Sequence, residues 1–393
     1  MQGNPVPPNW RPTLQNWDSP PFNRWSFQNV RQILPTVPVR GHRGPASPLM
    51  ANLKDLGDLT FCANDGVETT VETMLDDTYT DGFIVLVDGK IVTERYFNNM
   101  TPQTLHLAQS VSKSVVATVA GILIGRGVLD PMQPVTAYLP ELARTAWNGA
   151  RLQHVLDMTA GVRFNETYTD PDSDIAMTDI AAGWKPMPPG TAGLPQTIWD
   201  QILGLTEQDA AHGARFEYQS IQTDVLAHVM QRAAGKRLAD LVSDELWQKL
   251  APDEDAEFTV DRGGYALADG GFNACLRDFA RFGLLHLNGG AVAGQQIVPP
   301  AFVANTRHGP HGLFNDAGRE LLPNGCYRNQ FWVEEQGRET LMALGVFGQM
   351  IYISPEYDMV AVKLSTWPEF MNKTHETNTL RALRAIASAL GKP

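Results

Sequence analysis

The sequence predicts a mixed fold in which strands from both ends of the chain meet in one sheet, with helices between them. Three observations predict it: a hairpin near residue 88, a second strand pair near the C-terminus, and a middle made mostly of helical patterns. Phe83-Ile84-Val85-Leu86-Val87 is a β-rich run, followed by Asp88-Gly89 and then Lys90 through Tyr96-Phe97. Asp-Gly between two such runs signals a hairpin, because both turn residues tolerate positive φ. The second strand pair is expected at Gly348 to Ser354 and Met359 to Ser365. Strands at the two ends of a chain commonly meet in one sheet.

Before the hairpin, residues 1–75 read as an arm packed on the body. Its early part is rich in Pro, Asn and Trp (Trp10, Trp17, Trp25), and aromatics at that density argue against a floppy tail. After the hairpin, Ser114 to Gly125 reads as an apolar helix. Leu152 to Met158 reads as a short helix ended by Thr159-Ala160-Gly161. Apolar residues recur at helical spacing over Ile221 to Ala234 and again over Arg277 to Leu285. A last helix is expected at Thr377 to Leu390. Residues 164–215 are rich in Asp, Pro and Gly and read as long loops over a site, since long loops in compact domains are usually functional.

The bulk numbers bound the function. A chain of 393 residues holds one large domain with an insertion, or two sharing a core. A 43% hydrophobic and 19% charged composition is that of a globular protein. The net charge of -12 repels nucleic acid and anionic membranes, so neither is an expected partner. It tolerates a neutral or partly cationic small molecule. Cys62, Cys275 and Cys326 form no metal-binding or disulfide pattern and read as buried free thiols. The N-terminus lacks a basic and then apolar leader, and Val115 to Ile124 is too short to span a bilayer. A cytoplasmic location is therefore expected. A homodimer is compatible with the sequence.

The chemistry rests on Gln109-Ser110-Val111-Ser112-Lys113-Ser114. There is no GxSxG elbow, HExxH, P-loop or strand-linked GxGxxG, and the nine histidines show no metal-ligand spacing. On a helix, positions i and i+3 share a face, so Ser110 and Lys113 can meet while Ser112 and Ser114 point elsewhere. A serine hydroxyl needs an adjacent base to become a nucleophile. Lysine serves only when neutral, which burial favours. Free backbone N–H groups at the helix N-terminus stabilise charge on a carbonyl oxygen. The same residues also suit a plain N-cap serine and a surface lysine.

Two further segments join it. Tyr218, in Phe216-Glu217-Tyr218-Gln219-Ser220 at a loop-to-helix junction, can relay a proton beside a Ser/Lys pair; it also suits a half-buried packing role. Ala343-Leu344-Gly345-Val346-Phe347-Gly348-Gln349 leads into a strand. Its glycines allow close backbone approach to a ligand, and an N–H there can be a second oxyanion donor. A simple turn is the plainer use.

Taken in order, these three elements resemble the serine β-lactamase/penicillin-binding protein superfamily, in its class C-like branch of esterases and amide hydrolases. Leu152 to Val162, Gly270-Gly271, Leu276 to Gly283 and Leu287-Asn288-Gly289-Gly290 support the resemblance. It extends, within linear-amide hydrolases of that branch, to Asn16-Trp17, Asn23-Arg24-Trp25, Asn165 to Pro171 and Ala181 to Trp184. The resemblance implies an α+β fold, an antiparallel sheet covered by helices. It places the α/β catalytic domain at 76–130 and 266–393, with a mainly helical domain inserted at 131–265. It implies hydrolysis of linear amides such as 6-aminohexanoate oligomers, with a short-chain carboxylesterase as the alternative and a non-catalytic binding protein as the rival from another class. Ser110 would be acylated, Lys113 its base and Tyr218 the proton relay. The backbone N–H groups of Ser110 and Val346 would hold the oxyanion. Tyr168 would contact the scissile amide, Asp179 would pair with a substrate ammonium, and Gly345 would lie against the substrate. No metal or cofactor is implied. The superfamily's Tyr-x-Asn is here Tyr218-Gln219-Ser220, and its Lys-Thr-Gly is Ala343-Leu344-Gly345. The lost cation disfavours β-lactams and favours neutral esters or amides.

Overall fold

A computed structural model describes residues 6–190, 193–309 and 314–390. Met1 to Pro5 of the expected arm, and residues 191 and 192 of the expected loops, lie outside the described residues. A seven-stranded antiparallel sheet is built from both ends of the chain. Its strands are β1 (Thr80–Val87), β2 (Lys90–Tyr96), β3 (Cys326–Arg328), β4 (Phe331–Val333), β5 (Leu341–Gly345), β6 (Gln349–Ser354) and β7 (Met359–Ser365). Their order across the sheet is β3-β4-β5-β6-β7-β1-β2. The hairpin turn takes φ of 53° at Asp88 and 68° at Gly89, the paired positive values its sequence calls for.

Successive side chains on a strand face opposite ways, so an unbroken apolar run needs cover on both faces. Both faces are covered. Ile84, Leu86, Ile351, Ile353, Val360 and Val362 join one core together with Phe279 and Phe282. Phe83, Val85, Met350, Tyr352, Met359 and Ala361 join another with Leu380, Leu383 and Ile386. The fold is thus α+β, an antiparallel sheet between helices.

Five helices matter for the site or its support. They are α1 (Val111–Gly125), α2 (Asp174–Ala181), α3 (Ile221–Ala234), α4 (Leu276–Leu287) and α5 (Lys373–Leu390). Helix α1 is buried on every side from Val111 to Leu123, as its apolar run from Val115 onward calls for. It packs against α3 and against β5 and β6.

The 164–215 segment departs from the loop expectation. Helix α2 and a second helix, Ile198–Gly204, lie within it. Both starts are capped: Ser173 accepts from the Ala176 N–H, and Thr197 and Asp200 form a capping box. Their Ser and Thr caps were readable as start signals, but the surrounding Pro and Gly masked the short periodic runs. The thiols also divide: Cys275 and Cys326 are buried as expected, whereas Cys62 is exposed, at the end of a short two-stranded ribbon.

A second, four-stranded sheet sets up the site. Thr36–Val39, Ala256–Thr259, Phe272–Ala274 and His106–Leu107 pair antiparallel in that order. It joins the arm, the end of the 131–265 stretch and the run-in to α1. The Leu107 N–H donates to Phe27 O and the Ala108 N–H to Phe272 O, both at 2.9 Å. The backbone is therefore anchored two residues before Ser110. Among the described residues no helix is long and apolar enough to cross a membrane.

Candidate active site

Ser110 occupies the N-cap position of α1 but makes no side-chain cap hydrogen bond. Its hydroxyl instead accepts from Lys113 Nζ at 2.8 Å. The other two serines are spent on structure. Ser112 Oγ donates to Gln109 O at 2.6 Å and accepts from the Phe272 N–H at 3.0 Å. Ser114 Oγ donates to Gln330 O at 2.7 Å. Gln109, just before the serine, takes a φ of 50°, rare for a residue with a Cβ. Such strain is tolerated where anchored neighbours impose it.

Lys113 is 1% exposed. Its Nζ also donates to Asp269 O at 2.7 Å and lies 5.2 Å from the centre of the Tyr218 ring. Burial alone pushes the ammonium down, as the sequence leads one to expect. Tyr218, Asp269 and Glu166 together outweigh burial, and the balance lies above a lysine's ordinary value. Burial is therefore opposed at Lys113 and does not by itself set its charge state.

Tyr218 stands where α3 begins. Its ring stacks on Trp332, with centres 5.5 Å apart and planes at 22°, and meets Tyr327 edge-on at 6.0 Å. Burial raises the phenol above its usual range; Lys113 and a hydrogen-bond interaction with Ser110 pull it back only in part. The next residue, Gln219, turns away and donates to Val162 O at 2.9 Å. Ser220 turns inward and lines the pocket.

Ser110, Tyr168, Asp179, Ser220, Val346 and Asp269 line one pocket. Tyr168 stacks on Phe370 at 5.6 Å. Its hydroxyl donates to Glu166 Oε1 at 2.9 Å. Ser220 Oγ also donates to that carboxylate, at 2.5 Å, and the Ser220 N–H does so at 3.0 Å. Glu166 thus ties the 164–173 segment to the start of α3. Asp179, on α2, has no hydrogen-bond partner for its carboxyl among the described residues. Burial, then Asp18, push that carboxyl up to about 8; Lys185 opposes them and Asp269 and Glu166 add to them.

Gly345 stands behind the lining. A Cβ there would come within 2.7 Å of Ala108 O and 3.1 Å of Gln109 Cβ. The missing side chain therefore admits Ala108 and Gln109, just before Ser110, and it is Val346, one residue on, that reaches the pocket. Asp18, Glu166 and Asp269 enter the site without having been singled out for it from sequence. None sits at a fixed spacing from the Ser-x-x-Lys pair, so no local signal marks them.

A buried apolar helix opened by a serine and lysine in contact, beside a seven-stranded antiparallel sheet, defines a class. The family model for beta-lactamases matches residues 67–386, and the chain belongs to that family and is a hydrolase. It is similar to the 6-aminohexanoate-dimer hydrolase of Paenarthrobacter ureafaciens: 36% identical over 360 residues, 91% of this chain and 89% of that one. Among solved structures, a candidate 6-aminohexanoate-dimer hydrolase from Bacillus anthracis superposes with a TM-score of 0.89 at 28% identity, covering 98% of each chain. EstCE1, a hydrolase with promiscuous acyltransferase activity, shares the fold with a TM-score of 0.63 at 18% identity over 80% of this chain and 96% of its own.

Proposed function

We propose that the protein hydrolyses linear amides such as 6-aminohexanoate oligomers through an acyl-enzyme on Ser110. The observation that carries this is the 2.8 Å contact between Lys113 Nζ and a Ser110 hydroxyl free of any capping duty. The neutral fraction of Lys113 accepts the Ser110 proton as Oγ attacks the amide carbon. The oxyanion is held by the backbone N–H groups of Ser110 and Val346. Tyr218 passes a proton to the leaving nitrogen, the C–N bond breaks, and an amine departs. Water then attacks the ester carbonyl and loses a proton to Tyr218, which gave its own to the amine; the C–O bond to Ser110 breaks, and Lys113 returns the proton it took to Ser110 Oγ. Tyr168 contacts the scissile amide, and Asp179 pairs with the substrate's terminal ammonium.

The overall resemblance to a 6-aminohexanoate-dimer hydrolase supports the substrate class. Residues 76–130 and 266–393 form one side of the site in this reading and 131–265 the other, with arm 1–75 packed on both. The three free cysteines suit a reducing cytoplasm.

A fluorophosphonate probe followed by peptide mass spectrometry tests the nucleophile. Label on Ser110, lost in Ser110→Ala, is expected; label on Ser112 sinks the assignment. Turnover of linear 6-aminohexanoate dimer against p-nitrophenyl acetate separates the amidase from an esterase with the same machinery. No labelling of folded protein would instead support a binding protein.

A further inference from the structure

The family match begins at residue 67, yet Asp18, far upstream in the arm, lines the same pocket as Ser110. Its position is held by its neighbour. Trp17 is fully buried, its Nε1 donates to Trp184 O at 2.8 Å, and its ring meets Trp184 edge-on at 5.1 Å. Asp18 is itself only 5% exposed and pairs with Lys185, the residue after Trp184. The Lys185 N–H in turn donates to Asp179 O at 3.1 Å. Arm, α2 and pocket are joined at one point.

Charge at that point is one-sided. Among the described residues lining the pocket are three acidic side chains, Asp18, Asp179 and Asp269, and no Lys, Arg or His. Among the described residues the half-buried Asp179 carboxyl has no hydrogen-bond partner, and Asp269 Oδ1 is fully buried without one. A buried acceptor left without a donor is costly, and a ligand bringing N–H donors and a positive charge relieves that cost. Lys185 offsets part of the charge from outside the lining.

We propose that Asp18 is a specificity-determining residue for substrates carrying a protonated amine. With Asp179 it forms the ammonium-accepting end of the pocket, and Lys185 sets how much of its charge the ligand feels. This rests on the hydrolase reading only in that Ser110 chemistry reports occupancy. The two partners then act with opposite sign. Asp18→Asn removes attraction for a cation, whereas Lys185→Met removes a competitor for the same carboxylate.

The test uses the full chain at about pH 9, with p-nitrophenyl acetate as reporter and n-hexylamine or 1-hexanol as competitive inhibitors of matched length. The quantity read is the ratio of the two inhibition constants. Asp18→Asn is expected to cut the preference for the amine about tenfold, and Lys185→Met to raise it about threefold or more. A ratio lowered in both variants, as for a merely structural strut, overturns the proposal, as does a ratio unchanged in both. If Asp18→Asn fails to fold, Lys185→Met decides alone: a raised preference supports the proposal, and any other result removes it. If the wild-type chain does not turn over the ester, the catalytic reading has failed; calorimetric titration with the same two ligands then reads the same ratio.

Discussion

Ser110 and Lys113 lie one helical turn apart, so their contact is local and legible from spacing alone. Its electrostatics are not local. Burial lowers the Lys113 ammonium, and Tyr218, Asp269 and Glu166, from other parts of the chain, oppose it and shift the balance above a lysine's ordinary value. In the proposed mechanism the base is the neutral form of Lys113, which grows with pH. We expect kcat/KM for a neutral ester to climb up to about tenfold per pH unit between pH 7 and 9, and Lys113→Met to abolish both the limb and most activity. A flat profile over that range contradicts the lysine base. Asp179 gives a second residue-scale prediction. Its carboxyl titrates at about 8 in the fold and near 4 when unfolded. Between those values the folded state holds the extra proton, so this residue's contribution to stability is full at low pH and lost as pH rises toward 8. Asp179→Asn should therefore gain in Tm over wild type between pH 5 and 8 while losing affinity for amine-ended substrates. Thermal melts across that range check the sign.

At the scale of elements, most helices and strands of the sheet core follow from periodicity and turn chemistry, with boundaries moved by a few residues. The exceptions are strands β3 and β4, the helix Ile198–Gly204 and α2. Helix α2 hides in a Pro- and Gly-rich stretch, and only its Ser173 cap announces it. Asp179 therefore reads from sequence as a loop acid and stands in the structure on a helix, a firmer mount. Strand β5 carries the other element-scale lesson. Gly345 looks like a place for ligand to approach, but the approaching atoms are the Ala108 carbonyl oxygen and the Gln109 Cβ. Gly345→Ala should push β5 from the nucleophile turn, at a cost of about 1–3 kcal/mol in stability. Because Val346 moves with it, kcat should fall about tenfold or more, with KM changed less. Equal kcat in the variant, measured on p-nitrophenyl acetate, would remove Val346 from the oxyanion site.

At the scale of the whole molecule, the arm is part of the site. Trp17 and Phe27 are fully buried, Phe27 packs edge-on against Phe347 at 5.2 Å, and Trp17 anchors Asp18. Trp17→Ala should cost about 3–5 kcal/mol, the usual range for emptying a buried aromatic site. It should also weaken amine-ended substrates more than neutral ones, because Asp18 loses its anchor. Denaturant unfolding followed by the two inhibition constants checks both; a stability loss with no change in their ratio detaches the arm from specificity.

By itself the sequence determined the elements whose cause is local: the Asp88-Gly89 hairpin, the apolar helix behind Ser110, and the meeting of Ser110 with Lys113 across one turn. Ordered motifs carried it further, to the family. Tertiary structure alone decided which serine hydroxyl stays free of structural hydrogen bonds, which groups oppose burial at Lys113, and that Asp18, Glu166 and Asp269 converge with Asp179. Those outcomes depend on groups far apart in the chain, and electrostatic interactions and burial act through space rather than along sequence. No spacing rule encodes them.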